Sequence, residues 1–410
     1  MKNYSLSALL AAGLLAGAAS TASAADLGGN CCADLEERVA ELEATTARKG
    51  NRKVSLTVSG WVTQNVMYWD NGVEQNTYVF DSGTTIASHV KFTGSAQISP
   101  GWSAGYVLHI EAIGSDALGI NENQASAPAL FSGDRRGVQT LQSFWFLKSD
   151  QLGKVGVGLQ SQASDNTAIL VDGSGSLVPA NFVAFDYGFF TAQITGGGAG
   201  PIWLGIFGCT DCNGAPLNSV RYDSPTFGGF SVSASWGEDD FWDVAARYAG
   251  EFGGIKLAVA AAYSESRDGT PGTLVLQGEN TEFFQIGAYV QHVASGLFLY
   301  GAYGDWQAQN DAALPDADSQ FWYVKAGIRQ RWTPLGHTVL YGEYEEGDNN
   351  DNPNDSKGEL WGVGAVQEID AAAMSLWLTY RHIEGDLDVG GVDIPLEDFD
   401  YVKFGALINF

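Results

Sequence analysis

The stretch WSAGYVLHIEA, residues 102–112, places an apolar side chain at every second position. Tyr106, Leu108 and Ile110 lie on one face of such a segment, whereas His109 and Glu111 lie on the other. A strict period of two over this length predicts a β-strand with one apolar face and one polar face.

The same alternation recurs along the chain, in residues 54–68, 86–98, 230–236 and 402–410. Seven short turns alternate with eight other connections, most of them long and polar, so the pattern predicts 16 strands. Short turns at one end of the strands and long loops at the other are typical of a transmembrane β-barrel. We therefore predict an all-β protein whose residues 53–410 form a 16-stranded antiparallel transmembrane β-barrel.

A soluble β-sandwich is the alternative fold, because its strands also alternate apolar and polar side chains. The strands predicted over 54–68 and 102–112 are longer than sandwich strands usually are. Aromatic side chains also gather near strand ends, as the two interfacial girdles of a membrane barrel require. The aromatic residues assigned to the girdles are Tyr68, Trp69, Trp102, Phe241, Trp242, Trp306, Trp322, Trp332 and Phe410.

The charge balance restricts the partners of the protein. The 410 residues include 21 basic and 48 acidic side chains, which gives a formal net charge of −27. Binding to DNA or RNA needs a basic surface, so this balance excludes a nucleic-acid partner.

The composition and hydrophobic pattern of the N-terminal region differ from those of the predicted strands. Lys2, an uncharged apolar run over 9–19 and the small residues 22–24 predict a signal peptide over residues 1–24 that is cleaved on secretion. Leu35, Val39 and Leu42 then form a single apolar seam, which predicts a short periplasmic helix within residues 25–52. This helix is either part of a small coiled coil or a solvated linker, and the sequence favours neither.

A set of basic side chains within the predicted strands falls on the polar face. A charge on the lipid face near the middle of the bilayer costs about 2–4 kcal/mol, so these side chains are expected to point into a water-filled lumen. The predicted pore-lining basic residues are Lys91, Arg221, Arg247, Lys325, Arg329, Arg331 and Arg381.

The connection over residues 162–216 is far longer than a hairpin needs, and loops of that length are usually functional. It combines the acids Asp165, Asp172 and Asp186 with apolar runs that would not be stable in water, so we expect it to pack on the barrel interior. Cys209 and Cys212 at its far end predict a local disulfide, with a zinc site as the less favoured alternative.

The remaining acids fall mostly in predicted long loops, including 346–356 and 385–396. One cluster contains Glu345, Glu346, Asp348, Asp351 and Asp355, and the other contains Glu384, Asp386, Asp388 and Asp393. A solvated loop surface is the simplest interpretation. The alternative is that these acids bind divalent cations at the outer surface, but the spacing defines no metal site, and we expect no cofactor.

The chain resembles the general-diffusion porins of the Gram-negative outer membrane, of the alphaproteobacterial type. The resemblance is carried by residues 31–36 (CCADLE), by the strand over 54–60 followed by Trp61, and by the last strand, 401–410. It implies homotrimers of 16-stranded barrels, with the third long loop, here 162–216, folded inward as a constriction. It also implies that Phe410 is read by the barrel-insertion machinery.

The resemblance also implies which residues form the two sides of the constriction. Asp165 and Asp172 match the acidic loop side of the constriction, and Lys91 and Arg221 are the best candidates for the basic wall. The protein would sit in the outer membrane, in contact with lipid and with lipopolysaccharide, through divalent cations bound at the acidic loops.

The predicted function is passive diffusion of small hydrophilic solutes and ions, with mild cation preference from the overall acidity. A sugar-preferring porin with Trp61, Tyr289 and Tyr303 as a stacking track is one alternative, and a structural or adhesive barrel is another. An enzyme is not expected. Residues 101–105 match the Gly-x-Ser-x-Gly pattern of a nucleophile elbow. That motif needs a helix after the serine, whereas a predicted strand follows here.

Overall fold

The computed structural model describes residues 53–130, 137–238, 240–267, 280–309, 317–351 and 354–410. The predicted signal peptide, 1–24, and the predicted N-terminal helical segment, 25–52, lie outside the described residues. Among the described residues, no helix has both the length and the apolar composition needed to cross a bilayer.

The regular secondary structure of the described residues is almost entirely strand, with one short α-helix, α1 (Trp203–Phe207), and two 3-10 turns at Ile169–Val171 and Asp370–Ala372. The strands are β1 (Thr57–Asp70), β2 (Gln75–Phe80), β3 (His89–Ser99), β4 (Trp102–Ala112), β5 (Val138–Ser149), β6 (Gly153–Gln160), β7 (Thr191–Gln193), β8 (Ala199–Ile202), β9 (Leu217–Asp223), β10 (Phe230–Gly237), β11 (Trp242–Phe252), β12 (Ile255–Ser266), β13 (Asn280–His292), β14 (Leu297–Gln309), β15 (Ala317–Thr333), β16 (Gly336–Asp351), β17 (Asn354–Ile369), β18 (Met374–Val389), β19 (Asp393–Pro395) and β20 (Phe399–Asn409).

Sixteen of these strands form one closed antiparallel wall, which confirms the predicted barrel. Each wall strand pairs with its neighbours along the chain, and β6 pairs with β9 because β7 and β8 form a separate hairpin. The last strand, β20, pairs with β18 on one side and with β1 on the other, from Trp61↔Asn409 to Asp70↔Asp400. The short strands β2 and β19 pair with β1 and β18 at the long-loop end.

Two of the predicted long loops are mostly strand. The ladder between β16 and β17 continues to the pair Asp351↔Asn354, and β18 reaches Val389, so the predicted loops 346–356 and 385–396 are wrong in extent. Backbone hydrogen bonds do not depend on side-chain polarity, so these strands continue beyond their apolar band. Glu345, assigned to an acidic loop, is instead fully buried on β16.

The two faces of the wall differ as the alternation predicts. Val62, Val232, Leu299, Val363 and Phe404 are exposed on the outer face, where a membrane barrel presents its apolar band. Their chain neighbours point inward and are mostly polar or buried, as the pattern of β15 illustrates with buried residues at every second position from Ala317 to Lys325.

Three aromatic residues assigned to the girdles lie on the inner side instead. Trp102, Trp322, Trp332 and Phe410 are exposed as expected, but Trp69, Phe241 and Trp306 are buried. Trp69 and Trp306 fall one position out of register with the outer face of β1 and β14, so the prediction was wrong for them. The Trp69 ring packs on Phe190, 4.9 Å between ring centroids, within the long connection between β6 and β9.

Candidate pore constriction

The connection between β6 and β9, residues 162–216 and hereafter the loop segment, is fixed to the wall from its first residues. Arg221 on β9 donates to the carbonyl oxygens of Ser161 and Gln162 at 2.9 and 3.0 Å. Arg247 on β11 donates to the Ala163 carbonyl at 2.5 Å and to the Thr167 hydroxyl at 2.9 Å. Two predicted wall residues therefore hold the backbone of the loop segment.

The next turn of the loop segment is bound again to β11 and to two further strands, β13 and β14. The Ser164 hydroxyl donates to Asp243 on β11 at 2.6 Å. Ala168 donates its N–H to Gln285 on β13 at 2.9 Å, and its carbonyl accepts from the Tyr300 hydroxyl on β14 at 2.9 Å. Gly287 on β13 leaves room for this approach, since a Cβ there would overlap the Ala168 carbonyl oxygen.

Asp172 forms a direct ion pair with a predicted wall residue. Its carboxylate lies 2.6 Å from the Lys325 ammonium on β15, and both side chains are 0% exposed. Lys325 also donates to the Ala180 carbonyl at 2.7 Å, so one lysine binds the loop segment at two places. Charged groups that are removed from water in this way need such pairing to be tolerated.

Two more basic residues hold the following residues. Arg381 on β18 makes a bidentate pair with Glu343 on β16, at 2.9 Å for both contacts, and donates to the Asn181 carbonyl at 2.8 Å. Lys403 on β20 donates to Asp186. The loop segment is thus tied to charged side chains on β15, β18 and β20.

The apolar runs of the loop segment pack on inward-facing aromatic rings. Phe182 lies 4.7 Å from Phe321 between ring centroids, and Tyr187 lies 5.6 Å from Phe207 of α1. These rings belong to one buried cluster that joins the loop segment to the wall. Burial of this apolar surface explains why so long a connection is ordered without regular secondary structure.

Asp165 has a different environment from the two other predicted acids. It is 4% exposed and accepts a hydrogen bond from the Asn166 amide, and it forms no ion pair in the described part of the chain. Burial raises the pKa of the Asp165 carboxyl well above its usual range, against the smaller effect of a hydrogen bond with Ser161.

The remaining predicted wall residues do not contact acids of the loop segment. Arg329 makes a bidentate pair with Glu368 on β17, at 2.8 Å for the shortest contact, and this pair adjoins Gly175. Arg331 is half-exposed and pairs with Asp370 at a short turn. Lys91 has no ion-pair or hydrogen-bond partner among the described residues, although it faces inward beside His109.

The predicted pairing of Cys209 and Cys212 is confirmed, because the two residues form a disulfide with their Cα atoms 5.3 Å apart. The Cys209 N–H donates to the Ser319 hydroxyl on β15 at 2.8 Å. The disulfide therefore closes a tight turn at the point where the loop segment is bound to β15.

Several residues that hold the loop segment were not predicted as site residues. Gln285, Tyr300, Asp243 and Lys403 contact the loop segment directly. Glu343 acts through Arg381, which it pairs with. Their position on the polar side of the alternation is a sequence signal that they point inward. The path of the loop segment decides which of these residues contact it. The alternation of apolar and polar residues does not predict that path.

The alternative stacking track is not assembled. Tyr303 lies on the outer face of β14 and is 37% exposed, whereas Tyr289 is buried on the inner face of β13. Trp61 packs against His89, 4.1 Å between ring centroids.

One group of side chains has the composition of a metal site. His382, Glu384 and Asp398 bring their ligand atoms within 4.8 Å of one another, at the long-loop end of β18 and next to β20. His382 and Glu384 lie on the outer face, away from the loop segment.

A closed barrel with an apolar outer face and an interior of charged and polar side chains defines an outer-membrane channel. The family model for Gram-negative porins matches residues 7–388, and the chain belongs to that family. Family and fold point to a channel rather than an enzyme, and they place the protein in the outer membrane. No curated protein matches the chain.

Solved structures of outer-membrane proteins share the fold at low sequence identity. The chain is similar to the anion-selective porin from Comamonas acidovorans, with a TM-score of 0.59 and 18% identity over 87% of this chain and 100% of that one. It is also similar to OmpF of Salmonella typhi in complex with daunomycin, with a TM-score of 0.55 and 14% identity over 88% and 99%. The trimer form of OmpT, an outer membrane protein of Vibrio cholerae, gives 0.56 and 12% over 87% and 99%.

Proposed function

We propose that the loop segment folds into the barrel as the constriction, and that the protein carries small hydrophilic solutes by passive diffusion through the remaining lumen. The observation that supports this is the set of contacts between the loop segment and inward-facing side chains on both sides of the barrel. The buried Asp172–Lys325 pair is the central one. Selection would then depend on pore width and on the charges that line it.

The contacts change the charge distribution expected at the constriction, where the resemblance implies an acidic loop side opposite a basic wall. Asp172 and Asp186 pair directly with Lys325 and Lys403, so these charges largely cancel instead of facing each other across water. In this proposal the paired acids position the loop segment, and the unpaired inward-facing bases supply the charge that solutes meet.

Liposomes that contain the purified protein are expected to swell in isotonic solutions of small sugars and amino acids. The swelling rate should fall steadily with solute size, because a fixed constriction sets the limit. Liposomes without protein are the control. Equal rates for small and large sugars would contradict a constriction, and absence of swelling would contradict a channel.

We propose that the protein is a homotrimer, in line with the resemblance and with the trimer form of the similar Vibrio cholerae protein. The purified protein should migrate as a trimer in mild detergent and as a monomer after heating. Deletion of residues 34–46, which carry the predicted apolar seam, should lower the dissociation temperature without abolishing the trimer. A monomer in mild detergent would refute the trimer.

We propose that the C-terminal strand carries the signal for the barrel-insertion machinery. Phe410 is exposed on the outer face, and its backbone pairs with Gly60 at 3.0 and 3.1 Å where the barrel closes. Phe410→Ser should reduce the amount of protein in the outer membrane while secretion continues, and Phe410→Tyr should be close to native. Membrane fractionation measures the amount of each variant in the outer membrane. Normal insertion of the serine variant would show that Phe410 is not part of the signal.

We further propose that lipopolysaccharide contacts the outer face at the long-loop end, through divalent cations held by acidic side chains such as Glu384 and Asp398. A chelator should then release lipopolysaccharide that copurifies with the protein, and retention of all of it after chelation would contradict this contact.

A further inference from the structure

The inward-facing charges are distributed unevenly around the barrel. On β15, β18 and β20 each inward base has an acid of its own, and the buried pairs Lys325–Asp172, Arg381–Glu343 and Lys403–Asp186 are at most 5% exposed. The cations on that side are therefore neutralised by acids, and the three buried pairs lie out of reach of solutes.

The other side of the lumen carries an excess of bases. Five inward-facing cations lie on neighbouring strands from β3 to β11, and we call them the basic arc: Lys91, Lys148, Lys154, Arg221 and Arg247. Asp223 is the acid that pairs with them in the described residues, at 3.0 Å from Lys154 and 2.7 Å from Arg221. Two further inward acids on these strands, Glu111 and Asp243, accept hydrogen bonds from Gln139 and from Ser164 and Ser235 instead.

The bases of the arc lie close to one another. Lys148 on β5 stands directly opposite Lys154 on β6 in the antiparallel register, an arrangement that destabilises a sheet when the charges are alike. Lys91 lies within electrostatic range of Lys154, and Arg221 within range of Arg247. An anion in the lumen would relieve this repulsion.

Solvent reaches the basic arc. Lys148 is exposed, Lys91 is half-buried and the Lys154 side chain is 34% exposed, although all three point inward by register. Lys91 and Lys148 make no hydrogen bond or ion pair within the described part of the chain. Their ammonium groups are therefore available to a solute, whereas Arg221 and Arg247 already donate to the loop segment.

The acidity of the whole chain does not oppose this charge in the lumen. Glu346 and Asp348 lie on the outer face of β16, and Glu359 lies on the outer face of β17. Lys357 pairs with two of these acids at 3.1 Å. Salt screens such exposed charges within about 8 Å, whereas low-dielectric walls focus the field of charges inside a cleft.

From this distribution we infer that the lumen favours small anions, inorganic phosphate and small carboxylates among them, and that Lys91 and Lys148 form the contact point. The inference rests on the proposed passage of solutes through the lumen. It predicts the opposite ion preference from the overall net charge of −27.

The test is the zero-current potential of the purified full-length protein in planar bilayers across a potassium chloride gradient at low salt. The native channel should prefer chloride. Because charged clefts raise the local counter-ion concentration by about tenfold or more, Lys91→Gln with Lys148→Gln should lower the chloride-to-potassium permeability ratio by up to about tenfold. Asp223→Asn should raise that ratio, since it removes the acid that pairs with the arc.

Lys357→Gln is the matched control, because Lys357 lies on the outer face of β17, where it pairs with Glu346 and Glu359 outside the lumen. It should leave the ratio unchanged. Inorganic phosphate should reduce the chloride current through the native channel, and less so through the double variant. Native channels that conduct but prefer potassium, or a double variant with the native ratio, would overturn the inference alone. Folded protein that does not conduct would overturn the proposed function as well.

Discussion

Deletion of residues 166–178 is expected to raise single-channel conductance well above the native value and to admit bulkier sugars. The deleted residues include Ala168, which is bound to Gln285 and Tyr300, and Asp172, which is bound to Lys325. Their removal takes away the part of the loop segment that bridges from β13 to β15. Single-channel recording and liposome swelling with sugars of increasing size measure the two effects.

The deletion has one predictable side effect, which the experiment can separate. Lys325 would lose its acid while it stays buried, and a buried unpaired charge is strongly destabilising. The deletion is therefore best combined with Lys325→Met, which removes the charge and keeps most of the volume. Deletion of Gly196 and Gly197, at the tip of the β7–β8 hairpin, is the control and should leave conductance native. Unchanged conductance in the first variant would show that residues 166–178 are not the constriction.

The sequence predicts the wall of the barrel well because the wall is built from local repetition. Strand β20 buries every second side chain over most of its length, and the inward His109 and Glu111 of β4 are buried. The period of two in 102–112 and 402–410 therefore already indicates the two faces of these strands. The number of strands follows from the turns. Strand ends are harder to predict, as β16 and β17 show. Outside the lipid band, a run of polar side chains is compatible with either a strand or a loop.

The packing of the loop segment on the wall could be predicted from the sequence, but its individual contacts could not. Its length and its apolar runs indicate that it packs on a wall, but residues such as Asp172 and Lys325 are far apart in sequence and share no periodicity. The prediction that the acids face the bases across a gap came from the resemblance. The direct pair arises because both side chains are fully buried, where separated charges would be very costly.

The role of the basic residues likewise depends on partners that only the fold brings together. Lys91 and Lys325 are indistinguishable in the alternation, since each lies on the polar face of its strand. One has no partner in the described residues, and the other is enclosed with Asp172. Pore-lining and loop-anchoring bases therefore become distinct only once the loop segment is in place.

Asp172→Asn and Lys325→Met are each expected to lower the free energy of unfolding by about 3–5 kcal/mol, because each leaves one buried charge without its partner. The double variant should lose less than the sum of the two, since it buries no charge. Urea unfolding of the protein in detergent measures all three values. The single variants should also show noisier open-channel currents, because the loop segment loses its central attachment to β15.

An exposed ion pair provides the matched control for these two single variants and their double variant. Arg331 and Asp370 have side chains that are 49% and 45% exposed, and such pairs contribute about 0–1 kcal/mol. Arg331→Gln and Asp370→Asn should therefore change stability little, singly or together, and leave the current steady. If the buried pair behaved like this exposed pair, Asp172 and Lys325 would not hold the loop segment, and the apolar packing of Phe182 and Tyr187 would have to position it alone.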